Sequence, residues 1–269
     1  GGLIVRLIDT DNPWTISFWR SVFASLFLLV WVGARERGKT LISFRQLGGG
    51  GVTVGVCFAV ASLGFVVALQ LTSVANTLVI LATTPLFAAV TARVILRTRI
   101  RPQTWAVLMV AMTGVSVMVT EGKGTSSWRG DAIAFVIAFV YAIATVLIRR
   151  QQHISMTPAM AVGTLIGLSV SAVLTPAFGV SGRALALLAV FGVLQLALGL
   201  IIYSIGARMA QPAEVSLVAM LETVLGPIWP WLVIGERPGA AALLGGMIVI
   251  GAVVFHTGLD LRQSIRVAP

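Results

Sequence analysis

Glu222 falls near the middle of a long apolar run, Pro212 to Ile234. An ionised carboxylate at mid-bilayer costs about 2.5 to 3.5 kcal/mol on insertion scales, so it demands a partner, a proton or a water-filled cavity. Two functional roles fit such an acid, binding an amine or taking up a proton, and pairing with an arginine to fix the structure stands beside them. Thr83, Thr84 and Pro85 sit at the same depth in another apolar run. Proline removes a backbone donor and frees a carbonyl that can face a cavity, and a simple kink without ligand contact fits equally well. Asn76, Thr77, Tyr141, Gln195, Tyr203 and Ser216 are the other polar groups able to line a passage, and any one of them also fits a plain interhelical hydrogen bond. Arg20 lies deep enough either to pair with a carboxylate or to snorkel to the outer interface. Glu214, close to Arg208, reads as half of a local salt bridge.

The elements that must hold these groups follow from composition. Of 269 residues, 58% are hydrophobic and only 10% charged, whereas a soluble domain carries roughly a quarter charged residues. Water is therefore not the main solvent, and the lipid bilayer is the expected partner. The net charge of +10 does not point to nucleic acid, because the cations are spread through short joints between apolar runs rather than gathered on one face or tail. Positive-inside bias and anionic cytoplasmic lipid account for them. Cys57, the one cysteine, lies inside an apolar run and reads as a small packing residue. His153 falls in a joint and His256 at the end of the last run. With no Cys/His cluster and no glycine-rich phosphate loop, the motifs call for neither metal nor cofactor.

Runs of about 20 apolar residues mark transmembrane helices. Gly1 to Ile8 reads as the second half of a first helix, and nine full spans follow. They are Trp14 to Gly33, Gly49 to Leu71, Val74 to Leu96, Thr104 to Thr120, Ala132 to Ile148, Pro158 to Phe178, Ala184 to Ala207, Pro212 to Ile234 and Gly239 to His256. A transmembrane barrel would need alternating segments of roughly ten residues, and these runs are apolar on all sides. Small residues recur at four-residue spacing, as Gly51, Gly55 and Ala59, as Gly163, Gly167 and Ser171, and as Ala241 and Gly245 with Ala242 and Gly246. Such ladders let helix backbones approach closely.

The two halves resemble each other at an offset of 138 residues. Thr72 to Asn76, Ala82 to Pro85 and Ile95 to Arg99 align with Ala210 to Glu214, Met220 to Thr223 and Val233 to Arg237. The period is five helices, and an odd number of spans places corresponding joints on opposite sides of the membrane. Loop charge agrees. Arg35, Arg37, Lys39 and Arg45 follow the second span, against Arg183 alone after the seventh; Arg97, Arg99 and Arg101 follow the fourth, against Arg237 beside Glu236 after the ninth. Asp9 and Asp11 follow the first, against Arg149 and Arg150 after the sixth. Both termini are accordingly expected in the cytoplasm, with twelve cations inside and four, Lys123, Arg129, Arg183 and Arg237, outside.

On these residues the chain resembles the drug/metabolite transporter superfamily, in its ten-helix EamA-type branch. Thr84-Pro85 with Leu96-Arg97-Thr98-Arg99, and Glu222-Thr223 with Ile234-Gly235-Glu236-Arg237, look like the family's pattern around the fourth helix of each repeat. The first copy lacks Gly-Glu, and the second has Thr where the usual Pro stands. Trp19-Arg20 at the start of the second span also looks like this group. The resemblance implies an all-α membrane protein, a ten-transmembrane-helix bundle of two inverted five-helix repeats over 1-120 and 130-257, with a cytoplasmic tail over 258-269. It implies a cavity lined by helices 1, 3, 4, 6, 8 and 9, and a secondary transporter rather than an enzyme. The expectation is export of small organic solutes, amino acids or related metabolites or drugs, across the inner membrane by alternating access, proton-coupled or facilitative. A lipid or lipid-linked-sugar translocase on the same fold, and an integral membrane enzyme acting on lipid, are the competing readings.

Overall fold

The structure, a computed structural model, describes residues 8, 12–36, 40–72, 77, 80–97, 102–118, 127–221, 225, 232–233 and 239–267. Its helices are α1 (Pro13–Glu36), α2 (Thr40–Gln46), α3 (Gly48–Leu71), α4 (Thr84–Ile95), α5 (Pro102–Met118), α6 (Trp128–Arg150), α7 (Thr157–Leu174), α8 (Gly182–Met209), α9 (Pro212–Ala219) and α10 (Ala240–Val267). Among the described residues there is no strand, as expected where each segment must satisfy its own backbone in hydrocarbon. Helix α1 is the second expected span, and from α3 onward label and span number coincide. Five helices, α1, α3, α6, α7 and α8, are long and apolar enough to cross a bilayer, and α4, α5 and α10 carry shorter apolar stretches.

Two elements depart from the expected spans. Helix α2 lies in the charged joint, and Gly48, at φ +55°, turns the chain from it into α3. Helix α10 continues to Val267, through residues expected to form a tail.

Packing reveals how the halves are arranged. Thr15, near the start of α1, donates its hydroxyl to the Ala177 carbonyl just past the end of α7 (3.0 Å), and Trp19 Nε1 donates to Phe178 O (2.9 Å). Farther along α1, Ser21 Oγ faces Gly167 in the middle of α7. Helices α1 and α7 therefore run in opposite directions, and they are counterparts at the 138-residue offset. The repeat is inverted.

The internal two-fold is visible in the glycine contacts. A Cβ on Gly55 of α3 would stand 2.8 Å from Ala159 O of α7, and one on Gly192 of α8 would stand 2.5 Å from Arg20 O of α1. Gly55 and Gly192 are 137 residues apart, and Arg20 and Ala159 are 139 apart, so the two close approaches are copies of each other. A Cβ on Gly163 would stand 2.7 Å from the Gly55 carbonyl, so two of the small-residue ladders lie face to face. A Cβ on Gly114 of α5 would likewise stand 2.8 Å from Gly245 O of α10. Without these glycines the backbones would stand farther apart, and dispersion contacts that hold membrane helices together would be lost.

The interior is mostly apolar, with serine and threonine hydroxyls buried among the hydrophobic side chains. Phe58, Cys57, Ala144, Ile148, Met160 and Ile201 belong to one cluster shared by α3, α6, α7 and α8. The outside is apolar as well: Val30 (62% exposed) and Ile202 (69%) are typical of the surface that the bundle turns outward, a surface that water would not tolerate over so many helices. Several of the polar links stand at the helix ends. Thr72 Oγ1 donates to Asp131 Oδ1 (2.7 Å) where α3 ends and α6 begins. At the other end of α6, Arg149 donates to Arg208 O, and Arg208 donates through Nε and Nη2 to Gln152 O. Glu214 differs from the expected salt bridge with Arg208. Its carboxylate accepts the Gln211 N–H (3.2 Å) and caps the start of α9, a placement that also suits the positive end of the helix dipole.

Candidate functional site

The fourth span is broken in mid-course. Residues 80–81 are helical, 82–83 form a turn, and α4 starts at Thr84 with Pro85 in its first turn. Proline has no N–H to give the carbonyl four residues before it. That carbonyl, Leu81 O, is met instead by the Thr84 hydroxyl (2.6 Å), and the Thr83 hydroxyl donates to Ile80 O (2.6 Å). The protons of both threonines are thus committed to the break, which leaves their oxygens as acceptors. The ninth span is interrupted at the matching place. Helix α9 ends at Ala219, and the Met220 N–H is shared between Ser216 O (3.2 Å) and Leu217 O (3.1 Å). Ala82 and Met220 are 138 residues apart, so both copies of the repeat carry the discontinuity.

An aromatic cluster stands between α3, α6 and α8. The rings of Phe58, Tyr141 and Tyr203 meet pairwise, with centroids 5.2 Å (Phe58–Tyr141), 5.9 Å (Phe58–Tyr203) and 5.2 Å (Tyr141–Tyr203) apart. Thr145 Oγ1 donates to Tyr141 O (2.8 Å) and lies 2.5 Å from the Tyr203 hydroxyl. Because the single Thr145 proton goes to the carbonyl, the Tyr203 O–H is the donor to Thr145. Tyr141 also packs with Leu81 against the buried Ala61, Ala68 and Ile137, which connects the cluster to the broken fourth span.

Arg20 occupies a third station. It lies seven residues into α1, roughly 10 Å along the helix at 1.5 Å per residue. Its Nη2 donates to Ser62 Oγ (2.9 Å), and its guanidinium lies over the Phe191 ring, 5.4 Å from the centroid. Ser62 is nine residues from the end of α3 and Phe191 nine from the start of α8, each roughly 14 Å from that end. The guanidinium therefore sits near mid-depth of a ~30 Å core and does not snorkel outward. A cation–π contact of this kind contributes about 0.5 to 2 kcal/mol. Arg20 Nε is buried with no hydrogen-bond partner.

Phe191 opens a π-helical segment, Phe191–Leu198, inside α8. The buried face of α8 steps by four from Ala184 to Leu188 to Gly192, then by five to Ala197, and by four again to Ile201. The extra residue lets the first part of α8 pack on α1 and the last part on α6 and α7. Segments of this kind recur at functional sites. Gln195 lies within it, and its buried Oε1 has no partner.

Nine of the expected site residues are described. Arg20 stands beside Ser62; Tyr141 and Tyr203 meet; Thr83, Thr84 and Pro85 form the break; Thr77 is buried in the same span. Gln195 is on the π segment, and Ser216 is buried one turn before the second break, its hydroxyl unpartnered. Glu222 and Asn76 lie outside the described residues. Phe58, Ser62, Thr145 and Phe191 were not anticipated. Their signal is spacing: Thr145 follows Tyr141 by four residues, Gln195 follows Phe191 by four, and Ser62 follows Phe58 by four, each pair sharing a helix face.

Comparison with known proteins bears on this geometry. The model of the EamA-like transporter family matches residues 3–120 and again residues 128–258. A search of curated proteins finds no match. Among solved structures 29 chains match; one, described only as "Crystal structure of protein", has a TM-score of 0.80 at 17% identity, over 97% of this chain and 93% of that one. At that identity the likeness speaks for the fold alone.

Proposed function

Because the chain belongs to the EamA-like transporter family, with one match in each half, we propose that it is a secondary carrier exporting small organic solutes, amino acids or related metabolites, by alternating access. The family makes it a multi-pass membrane transporter; substrate, direction and mechanism are our reading. One observation carries that reading. Two counterpart spans in opposed halves are interrupted at the same repeat position, Ala82–Thr83 and Met220. Discontinuous helices at mid-membrane supply polar backbone to a central site, and inverted halves can exchange conformations so that the site opens to each side in turn.

In this reading 1-120 and 130-257 are the exchanging halves, 258-269 is a tail in which helix α10 runs on to Val267, and both termini face the cytoplasm of an inner membrane, as the joint charges favour. Glu222 takes the substrate amine or the coupling proton. Asn76, Thr77, Thr83, Thr84, Pro85, Tyr141, Gln195, Tyr203, Ser216 and Arg20 line the path, with Phe58 and Thr145 holding the tyrosines.

The test is Glu222→Gln in proteoliposomes, followed with a radiolabelled amino-acid mixture at several pH values. Flux or its pH dependence should disappear in a protein that still elutes as the wild type does. Flux unchanged across pH would remove Glu222 from the mechanism.

A further inference from the structure

We propose that Arg20 is a receptor for a carboxylate, and hence that the transported solutes are organic acids or zwitterions rather than neutral or purely cationic compounds. This rests on the carrier reading only in requiring that a solute reach mid-depth. A guanidinium offers five N–H donors in a planar fork that matches a carboxylate two bonds at a time. In this chain Nη2 uses one donor on Ser62, the Phe191 ring covers a face, and Nε keeps its donor buried and unused. The described carboxylates with a hydrogen-bond partner stand at helix ends, Asp131 accepting from the Thr72 hydroxyl and Glu214 from the Gln211 backbone N–H. Neither meets Arg20. The station gives this half-buried cation a hydroxyl and a ring, and no counter-charge meets it among the described residues.

Structural need does not explain it. The helix-crossing at Arg20 and Gly192 has its copy at Ala159 and Gly55, and the residue matching Arg20 at the 138-residue offset is Pro158. The same backbone packing is achieved there with no cation. Gln195, one turn beyond Phe191 on α8, holds an unpartnered buried Oε1, so an unused acceptor for a substrate N–H accompanies the unused donor. A lipid phosphate shares the oxyanion chemistry, but the Ser62 hydrogen bond holds the guanidinium near mid-depth, below the headgroups.

The experiment uses the purified full chain in detergent. Thermal stabilisation is measured with acetate, benzoate, glycine and glutamate, with the neutral amide of each, and with phosphatidylglycerol. At least one acid should bind roughly tenfold more tightly than its amide, which corresponds to about 1.4 kcal/mol. Arg20→Gln should abolish that preference, and Arg20→Lys should retain the charge preference with weaker binding. In the unmutated protein, the same acid should slow modification of Arg20 by phenylglyoxal, read by peptide mass spectrometry, so the result does not depend on how the variants fold. Equal binding of acids and amides, an undiminished preference in Arg20→Gln, unchanged modification of Arg20, or stabilisation by the lipid alone would each overturn the proposal. Acid binding through Arg20 without flux in proteoliposomes would instead refute the carrier reading and leave this one standing. Amino-acid flux with no preference for acids over amides would do the reverse.

Discussion

The Tyr203 hydroxyl donates to Thr145, which in turn donates to the Tyr141 carbonyl, so a short chain of hydrogen bonds runs from α8 into α6. Within a membrane such bonds are worth less than their isolation from water suggests, averaging about 0.6 and reaching about 1.7 kcal/mol. Tyr203→Phe keeps the ring contacts with Phe58 and Tyr141 and removes the hydroxyl, with its hydrogen bonds to the Thr145 and Tyr141 side chains. It should lower stability by about 0.6 to 1.7 kcal/mol in reversible unfolding by a denaturing detergent; a loss several times larger would mean that the hydroxyl has another duty. The threonines of the fourth span are similarly occupied, since the Thr84 hydroxyl serves Leu81 O, the carbonyl that Pro85 leaves free, and the Thr83 hydroxyl serves Ile80 O. Sequence alone identified these as polar groups at the right depth. It could not tell that their protons were spoken for, because that depends on where the helix restarts.

Helix α8 has to serve two packing partners in succession, and its π segment supplies the change of register between them. Gly192 lies in that segment at the tightest approach to another helix's backbone among the described glycines, where an added Cβ would collide with the Arg20 carbonyl and the Phe23 side chain. Backbone cannot swing aside as a side chain does, so Gly192→Val should cost about 1 to 3 kcal/mol in overpacking. Gly199→Ala, one helical segment later, has nothing within 4 Å of the new Cβ and should stay within about 0.5 kcal/mol of the parent. Paired measurements on the two variants check this. A tolerated Gly192→Val would mean that α1 and α8 are not in contact there. The break in the fourth span was legible because Pro85 announces it. Its copy at Met220 was not, since Thr223 holds the place of the proline and backbone bonding alone marks the interruption. The π segment was invisible for a different reason: a span that is apolar on every face has no polar stripe whose drift would betray an extra residue.

For the molecule as a whole, joint charges and side-chain contacts reach the same arrangement by separate routes. Opposite charge bias at corresponding joints requires inverted halves, and the Thr15–Ala177 and Ser21–Gly167 contacts place α1 and α7 antiparallel. The fold was legible because hydrocarbon imposes it: long apolar runs must be helices, and short polar joints leave little freedom in their order. The site was legible only in part. Tyr141 and Tyr203 were identifiable as polar residues in spans, but their meeting with Phe58 joins three helices far apart in sequence, and Glu222 lies outside the described residues. An inverted pair of halves around a mid-depth station makes a definite demand, that the station be reachable from each side in turn. Ser62, partly buried beside Arg20, reports on it directly. With Cys57 replaced by alanine and Ser62 by cysteine, a membrane-impermeant maleimide should label the new thiol whether it is supplied outside or inside sealed proteoliposomes. Labelling from one side only, however long the exposure, would contradict alternating access.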